Sequence, residues 1–214
     1  MNLSGLKINF LGDSITEGHG TSDLKTKNVA ACLERISGAT VRNYGVGGTR
    51  IAMQRDQEGL DFVTRAMSMD DDADLVIVFG GTNDFGHGAA RLGTFGTMDP
   101  RTFYGALRTL CENMLNKYPN AEIVFLTPLH RCFENDVYSP LDHFSREGNL
   151  ERYCEIIKEV AGYYALPVLD LYNTSGIQPN VEIMKQRYMP DGLHLNDEGA
   201  MKVAKRIYGF LQTL

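Results

Sequence analysis

Short apolar runs alternate with amphipathic helical patterns along the whole chain. The apolar runs, which predict strands, lie at Lys7–Leu11, Thr40–Tyr44, Asp74–Phe79, Glu122–Thr127 and Leu166–Leu171. The helical patterns lie near Val29–Ile36, Gln57–Met67, Arg101–Lys117, Asn149–Tyr163 and Asp197–Leu211. Strands rich in Ile, Val, Leu and Phe are typical of a sheet that helices cover on both faces. The alternation therefore predicts an α/β protein with right-handed crossovers and an open parallel sheet.

The length and organisation of the chain fit one domain. A chain of 214 residues can bury a substantial core. Because no repeat, low-complexity tract or linker composition divides it, we expect a single domain over residues 1–214. Two segments that follow predicted strands, Phe85–Thr97 and His130–Arg146, are long, and loops of such length are usually functional or mobile.

Composition and charge exclude several kinds of partner. The formal net charge is −6 and the basic residues are scattered, so nucleic acid and polyanionic substrates are not expected. No apolar run reaches the length of a membrane span, and the first residues lack the pattern of a signal peptide. The four cysteines show no paired spacing that predicts zinc, and nothing else indicates an oxidising compartment. We expect a cytoplasmic protein without a metal or other cofactor.

The segment after the first strand carries a candidate nucleophile. Ligands of open parallel sheets bind beyond the carboxyl ends of the strands, and Gly12-Asp13-Ser14 lies at that edge. The serine hydroxyl would lie near helix-start amides that can stabilise an anion. Taken alone, a serine after an aspartate is more often a helix cap or turn residue. The segment also departs from the GxSxG nucleophile pattern of α/β-hydrolases, because Thr16 replaces the second glycine.

Two further strand ends offer hydrogen-bond donors. The segment 43–49 (NYGVGGT) follows the second strand, and its glycines let a backbone N–H approach a ligand closely. The third strand leads into the segment 80–84 (GGTND), where the Asn83 amide can donate to a developing oxyanion. Taken alone, the first segment is more simply a glycine turn, and an Asx-turn explains the second equally well.

The last loop before the final helix contains a candidate base. In the segment 191–194 (DGLH), Asp191 can turn back to the imidazole N–H of His194. That contact fixes the tautomer and leaves the other ring nitrogen to take a proton from a serine. The spacing is common by chance and indicates little by itself. Together, however, a nucleophile, oxyanion donors and an oriented base follow one another in order along the chain.

This combination resembles the SGNH hydrolases, also called GDSL esterases and lipases, over nearly the whole chain. The segments 12–14, 80–84 and 191–194 are similar to the first, third and fifth family blocks. In the second block Gly48, five residues after Asn43, matches the family spacing best, with Gly45 and Gly47 as rivals. The resemblance implies a flavodoxin-like three-layer α/β/α sandwich with a five-stranded parallel sheet.

The resemblance also implies a mechanism. Ser14 is the nucleophile, His194 the general base and then acid, and Asp191 orients His194. The Ser14 and Gly48 backbone N–H groups and the Asn83 side chain form the oxyanion hole. The implied reaction is hydrolysis of a small or short-chain acyl ester through an acyl-serine, with O-acetyl groups on carbohydrates among the candidate substrates.

The sequence says less about which residues contact the substrate and about which reaction the protein catalyses. Candidate substrate-binding residues, chosen because most of them follow strand ends, are Asp13, Phe85, His87, Arg131 and Met189, with Tyr138 and His143 as weaker candidates. An acyltransferase would use the same residues, and a non-catalytic ligand-binding protein can share the scaffold. A flavodoxin-like response or nucleotide domain is disfavoured, because neither a phosphate loop nor an acidic cluster follows the first strand. The sequence leaves homo-oligomerisation open.

Overall fold

A parallel sheet forms the centre of the protein. The computed structural model describes residues 1–54, 58–87, 90–139 and 144–214. Its strands are β1 (Lys7–Gly12), β2 (Thr40–Gly45), β3 (Leu75–Phe79), β4 (Glu122–Leu126), β5 (Tyr138–Ser139), β6 (Phe144–Ser145) and β7 (Val168–Leu169). Five of them pair in parallel in the order β2-β1-β3-β4-β7, and β5 and β6 form a separate antiparallel pair.

Helices cover both faces of this sheet. Those in the described residues are α1 (Ser14–Glu17), α2 (Val29–Ser37), α3 (Phe62–Ala66), α4 (Thr82–His87), α5 (Phe103–Lys117), α6 (Leu150–Tyr163), α7 (Leu171–Thr174), α8 (Glu182–Tyr188) and α9 (Asp197–Leu211). Helices α3, α5 and α6 pack on one face, and α2 and α9 pack on the other. The protein is therefore a flavodoxin-like α/β/α sandwich, which confirms the fold class predicted from the sequence.

The central strands explain why two layers of helices are needed. In β3, Val76 and Val78 point into the core beneath α3, α5 and α6. Leu75, Ile77 and Phe79 alternate with them and point into the core beneath α2 and α9. All five side chains are at most 2% exposed. Because successive side chains of a strand face opposite ways, a strand that is apolar throughout must be covered on both sides.

One predicted helix and one predicted strand are shorter in the structure, because a capping side chain sets where the helix begins and where the strand stops. The helix predicted from Gln57 begins at Phe62, where Asp61 accepts the Thr64 N–H at 2.8 Å as the N-cap; Gln57 itself lies outside the described residues. The last strand ends at Leu169, because Asp170 caps α7 by accepting the Asn173 N–H at 3.1 Å. A capping side chain redirects the backbone, which an apolar pattern does not reveal.

Two observations bear on the expectations from composition. Within the described parts of the chain, no helix has the length and apolar character needed to cross a bilayer. The cysteines are free thiols, and three of them are buried: Cys32, Cys111 and Cys154. Burial raises the pKa of the Cys111 thiol to about 12, as expected for a cysteine that packs as a small apolar side chain.

Candidate active site

Ser14 lies at the carboxyl edge of the sheet, on the first residue of α1. Asp13 is the N-cap of this helix and accepts the Ile15 N–H at 2.9 Å. The capping role considered for this segment therefore belongs to Asp13, and the Ser14 hydroxyl makes a different contact. Gly12 is required for the tight turn, because a Cβ there would lie 1.9 Å from the Thr16 hydroxyl oxygen.

The Ser14 hydroxyl, the His194 imidazole and the Asp191 carboxylate form a continuous chain of contacts. Ser14 Oγ lies 3.0 Å from His194 Nε2. His194 Nδ1 lies 2.7 Å from Asp191 Oδ2, while Asp191 Oδ1 accepts the backbone N–H groups of Leu193 and His194. The carboxylate favours the tautomer with the proton on Nδ1, so Nε2 faces the serine with its lone pair.

Hydrogen bonds also keep Asp191 ionised. Partial burial raises the pKa of its carboxyl, but hydrogen bonds from the backbone and side chain of His194 and from the Leu193 N–H outweigh this effect. The net result is a pKa below the usual value. Asp191 therefore carries a negative charge against His194 throughout the neutral range, which stabilises an imidazolium.

Asn83 lies on the first turn of α4, which follows β3 at the same edge of the sheet as Ser14. Its side-chain Nδ2 donates to the Thr49 carbonyl at 3.0 Å, and the residue is 7% exposed. The amide has two N–H groups, so this bond orients the group and leaves the second N–H as a donor. The neighbouring Asp84 accepts the N–H groups of Ile51 and Ala52, both at 2.9 Å, which ties α4 to the loop after β2.

The structure distinguishes among the three glycines after β2. The Gly45 N–H donates to Asn43 Oδ1 at 2.8 Å, and the Gly47 N–H donates to Glu17 Oε2 at 2.8 Å. Gly48 lines the cleft with Ser14 and has a φ of 75°, a left-handed conformation that favours glycine. Side chains accept the N–H groups of Gly45 and Gly47, and Gly48 lies in the cleft beside Ser14; its role as an oxyanion donor stays a prediction.

Two buried carboxyl groups lie beneath the site. Burial raises the pKa of Asp13 to about 7, with a smaller contribution from the nearby charge of Asp84. Burial likewise raises the pKa of Asp84 to about 6, against the lowering effect of the Ala52 and Ile51 N–H groups. Arg65 provides positive charge nearby and donates to the Gly12 carbonyl at 3.2 Å. These groups support the strand ends that carry the site.

An open cleft of about 590 Å³ contains the Ser14–His194 contact. Gly48 and Asn83 line it as well, and the remaining lining residues are Glu17, His19, Val46, Gly47, His87 and Leu193. Val46 and Leu193 are the aliphatic side chains of this set. The lining therefore combines imidazole, carboxylate and amide groups with carbon surface, which suits a small ligand that has both polar and apolar parts.

Of the other residues predicted to contact substrate, His87 alone lines this cleft. Phe85 and Met189 are buried core residues, 1% and 0% exposed, so packing rather than ligand contact accounts for them. Arg131 donates to the Thr82 carbonyl at 3.1 Å and stacks over Phe85. Asp13 is buried beneath Ser14 as the cap of α1. Burial corrects the prediction for Asp13, Phe85 and Met189, because the sequence shows which residues follow a strand but not which way they point; contact of Arg131 with substrate stays a prediction.

The weaker candidates do not extend the site. Tyr138 is 51% exposed and is not among the residues that line the cleft. His143 lies outside the described residues. Sequence reasoning also missed Glu17 and His19. The available signal was their place a few residues after Ser14, because Glu17 ends the short helix α1 and His19 follows its C-cap Gly18, so both remain near the same edge of the sheet.

The parallel sheet and the Ser–His–Asp contact at its edge define a flavodoxin-like protein with a hydrolase-type arrangement of side chains. The chain belongs to the GDSL-like lipase/acylhydrolase family, whose model matches residues 10–202. This membership confirms the resemblance seen in the sequence. No curated protein matches the chain.

Several solved structures are similar to this protein over nearly its whole length. One shares 33% identity with a TM-score of 0.89, covering 100% of this chain and 99% of its own. A protein from Lactobacillus plantarum shares 27% identity with a TM-score of 0.84, covering 98% of both chains. A protein from Chitinophaga pinensis, described as a possible lipase, shares 20% identity with a TM-score of 0.71, covering 97% of this chain and 98% of its own. The last likeness shows the fold alone.

Proposed function

We propose that this protein is a serine esterase that hydrolyses small or short-chain acyl esters through an acyl-serine intermediate. The observation that carries the proposal is the contact of Ser14 Oγ with His194 Nε2 at 3.0 Å, while Asp191 holds Nδ1 at 2.7 Å. A serine hydroxyl is a weak nucleophile unless an adjacent base takes its proton. This arrangement supplies that base in the required tautomer.

In the first half of the reaction, Ser14 Oγ attacks the ester carbonyl carbon and its proton passes to His194 Nε2. The carbonyl oxygen becomes an oxyanion, for which the donors are the Ser14 and Gly48 N–H groups and the second N–H of Asn83. The tetrahedral intermediate then collapses. The bond to the leaving oxygen breaks, and His194 gives its proton to the departing alcohol.

The second half repeats this chemistry with water. His194 takes a proton from a water molecule, whose oxygen attacks the acyl-serine carbonyl. Collapse of the second tetrahedral intermediate breaks the bond to Ser14 Oγ, which regains a proton from His194. The carboxylic acid leaves and the enzyme returns to its starting state.

The composition of the cleft supports a short acyl group and a polar alcohol. Val46 and Leu193 are the aliphatic side chains among the lining residues, which is too little apolar surface for a long acyl chain. O-acetyl groups on carbohydrates are the substrates that we favour within this class. The scattered basic residues and the four free thiols are consistent with a cytoplasmic location, which we include in the proposal.

An acyltransferase is the second candidate, because an alcohol in place of water can accept the acyl group from the same intermediate. The cleft is open to solvent, which favours an acyltransferase because an acceptor alcohol can reach Ser14. A non-catalytic binding protein is the weaker alternative. A protein that only binds a ligand has no need of Ser14, His194 and Asp191 in this geometry.

The experiment is the release of p-nitrophenol from its acetate, butyrate and octanoate esters by the wild type and by Ser14→Ala. We expect hydrolysis that favours the short acyl chains and disappears in the variant. Activity that survives in Ser14→Ala would contradict the assignment of the nucleophile. Product analysis with added alcohols separates transfer from hydrolysis, and failure of a fluorophosphonate to label Ser14 would favour the binding protein.

A further inference from the structure

The cleft carries a second imidazole that the esterase mechanism leaves unused. His19 lines the cleft, and its ring centroid lies 5.7 Å from that of His194, with the two planes tilted by 42°. The His19 side chain is 48% exposed, so a substrate can reach it. A polar side chain this close to the proposed general base, yet outside the proton transfers, suits contact with the substrate.

His19 follows closely after the helix that begins with the nucleophile. Helix α1 ends at Glu17, and its C-cap Gly18 has a left-handed φ of 114°. The N–H groups of Gly18 and His19 both donate to the Ser14 carbonyl, at 3.0 and 2.9 Å. At Gly20, a Cβ would lie 2.7 Å from the Leu195 carbonyl oxygen, so this turn packs directly against the segment of His194. His19 is thereby held beside the proposed reacting groups rather than on a free loop.

Glu17 orients the His19 ring. Glu17 Oε2 lies 3.1 Å from His19 Nε2, and the same oxygen accepts the Gly47 N–H at 2.8 Å. The contact holds Nε2 towards Glu17, so Nδ1 is the ring nitrogen available for a hydrogen bond with a ligand. Glu17 therefore links the orientation of His19 to the loop that presents Gly48.

The breakdown of the tetrahedral intermediate indicates which part of the substrate lies near His19. When the bond between the carbonyl carbon and the leaving oxygen breaks, His194 Nε2 gives its proton to that oxygen. The leaving alcohol must therefore lie next to His194, where His19 is the adjacent ring. The carbonyl oxygen faces the proposed donors, which are the N–H groups of Ser14 and Gly48 and the Asn83 amide.

We propose that His19, positioned by Glu17, binds a hydroxyl group of the leaving alcohol and so selects esters of polyhydroxylated alcohols over esters of simple alkanols. The inference rests on the proposed esterase function and adds a specificity-determining residue to it. His19 takes no part in proton transfer at the reacting atoms. Its contribution is a hydrogen bond that a hydroxylated alcohol can make and an alkanol cannot.

The test compares two esters with the same acyl group, glycerol 1-acetate and propyl acetate. Their leaving alcohols have the same carbon chain and differ in the hydroxyl groups of glycerol. The measured quantity is the ratio of kcat/KM for glycerol 1-acetate to kcat/KM for propyl acetate. Because this ratio cancels any general effect of a substitution on the acyl transfer itself, it reports contact with the alcohol.

We expect His19→Phe to lower this ratio about tenfold, because the ring remains and the hydrogen bond is lost. His19→Gln should lower this ratio less than His19→Phe does, since the amide oxygen of glutamine can accept a hydrogen bond from the same hydroxyl. Tyr163→Phe is the control. It also removes a polar group and keeps an aromatic ring, but at an exposed position of α6 outside the cleft, and it should change the ratio less than about twofold.

The outcomes separate the two proposals. An unchanged ratio in His19→Phe, or an equal fall in Tyr163→Phe, would overturn the role of His19 while leaving the esterase intact. Hydrolysis of both esters that depends on Ser14 supports the esterase whatever the ratio does. A wild type that hydrolyses neither ester, nor any p-nitrophenyl ester, would contradict both proposals.

Discussion

Asp191 holds His194 through both of its carboxylate oxygens. Oδ2 lies 2.7 Å from the ring Nδ1, and Oδ1 accepts the backbone N–H of the same histidine at 2.7 Å. One side chain therefore fixes both the turn of the chain and the tautomer of the ring. The two functions can be separated by substitution, because an asparagine retains one oxygen and replaces the other with an amide nitrogen.

Asp191→Asn should lower kcat for p-nitrophenyl acetate by about 10³–10⁴-fold without unfolding the protein. The retained oxygen can still accept the backbone N–H of His194, whereas the amide group favours the tautomer with the proton on Nε2. That tautomer cannot take the proton of Ser14. Steady-state kinetics measure the fall in kcat, and the thermal unfolding midpoint shows whether the variant is folded. A kcat within tenfold of the wild type would contradict the orienting role of Asp191.

Asn83→Ala should lower kcat by about 10²–10³-fold, which is the usual cost of losing one oxyanion donor. The substitution also removes the bond to the Thr49 carbonyl, so the unfolding midpoint must be measured beside the kinetics. Asn116→Ala is the matched control, because Asn116 is an exposed asparagine on α5. It should keep wild-type kcat. Near wild-type turnover in Asn83→Ala would remove Asn83 from the proposed oxyanion hole.

Gly45→Ala and Gly47→Ala should differ in stability although both add one methyl group. At Gly45 the new Cβ would lie 2.2 Å from the Glu17 backbone nitrogen, and backbone atoms of α1 cannot move aside. At Gly47 the nearest atom is Glu17 Oε2 at 2.9 Å, the end of a side chain that can turn away. We expect the free energy of unfolding to fall by about 3 kcal/mol in the first variant and by less than about 1 kcal/mol in the second.

Urea unfolding of the two alanine variants beside the wild type measures this difference. Equal losses of stability in both would mean that α1 can shift, and the close packing of β2 against α1 would then not be what holds Ser14 in place.

The pH dependence of stability should depend on Asp13. Burial raises the pKa of its carboxyl from 3.8 to about 7 in the folded protein. A carboxyl whose pKa is raised by folding stabilises the folded state fully below the unfolded pKa, and this stabilisation is lost as the pH rises through the folded pKa. The contribution of Asp13 is therefore lost between about pH 4 and about pH 7.

Asp13→Asn should make this decline smaller. The asparagine can still cap α1 through its oxygen but has no proton to lose. Between about pH 5 and about pH 8, the free energy of unfolding of the wild type should fall by about 2–3 kcal/mol more than that of the variant. Some decline remains in the variant, because burial also raises the pKa of Asp84. Parallel pH profiles of the two proteins would show that Asp13 titrates normally.

The sequence by itself determined the fold class and most of the strand and helix positions. Residues 75–79 are apolar throughout, and a strand of that kind is stable only between two layers of helices. The order of polar segments, at strand ends for Ser14 and Asn83 and in the last loop before the final helix for His194, likewise predicted that these residues form one site. The carboxyl ends of parallel strands share one edge of the sheet, so positions far apart in the chain come together there.

Only the tertiary structure decided which side chains face the cleft. Phe85 and Met189 follow the expected pattern along the chain but point into the core, while His19 and Glu17 return to the cleft through a left-handed turn at Gly18. The direction of a loop side chain depends on packing with distant residues, which no local pattern records. The same holds for the glycines after β2, because the side chains that accept the N–H groups of Gly45 and Gly47 are placed by the fold.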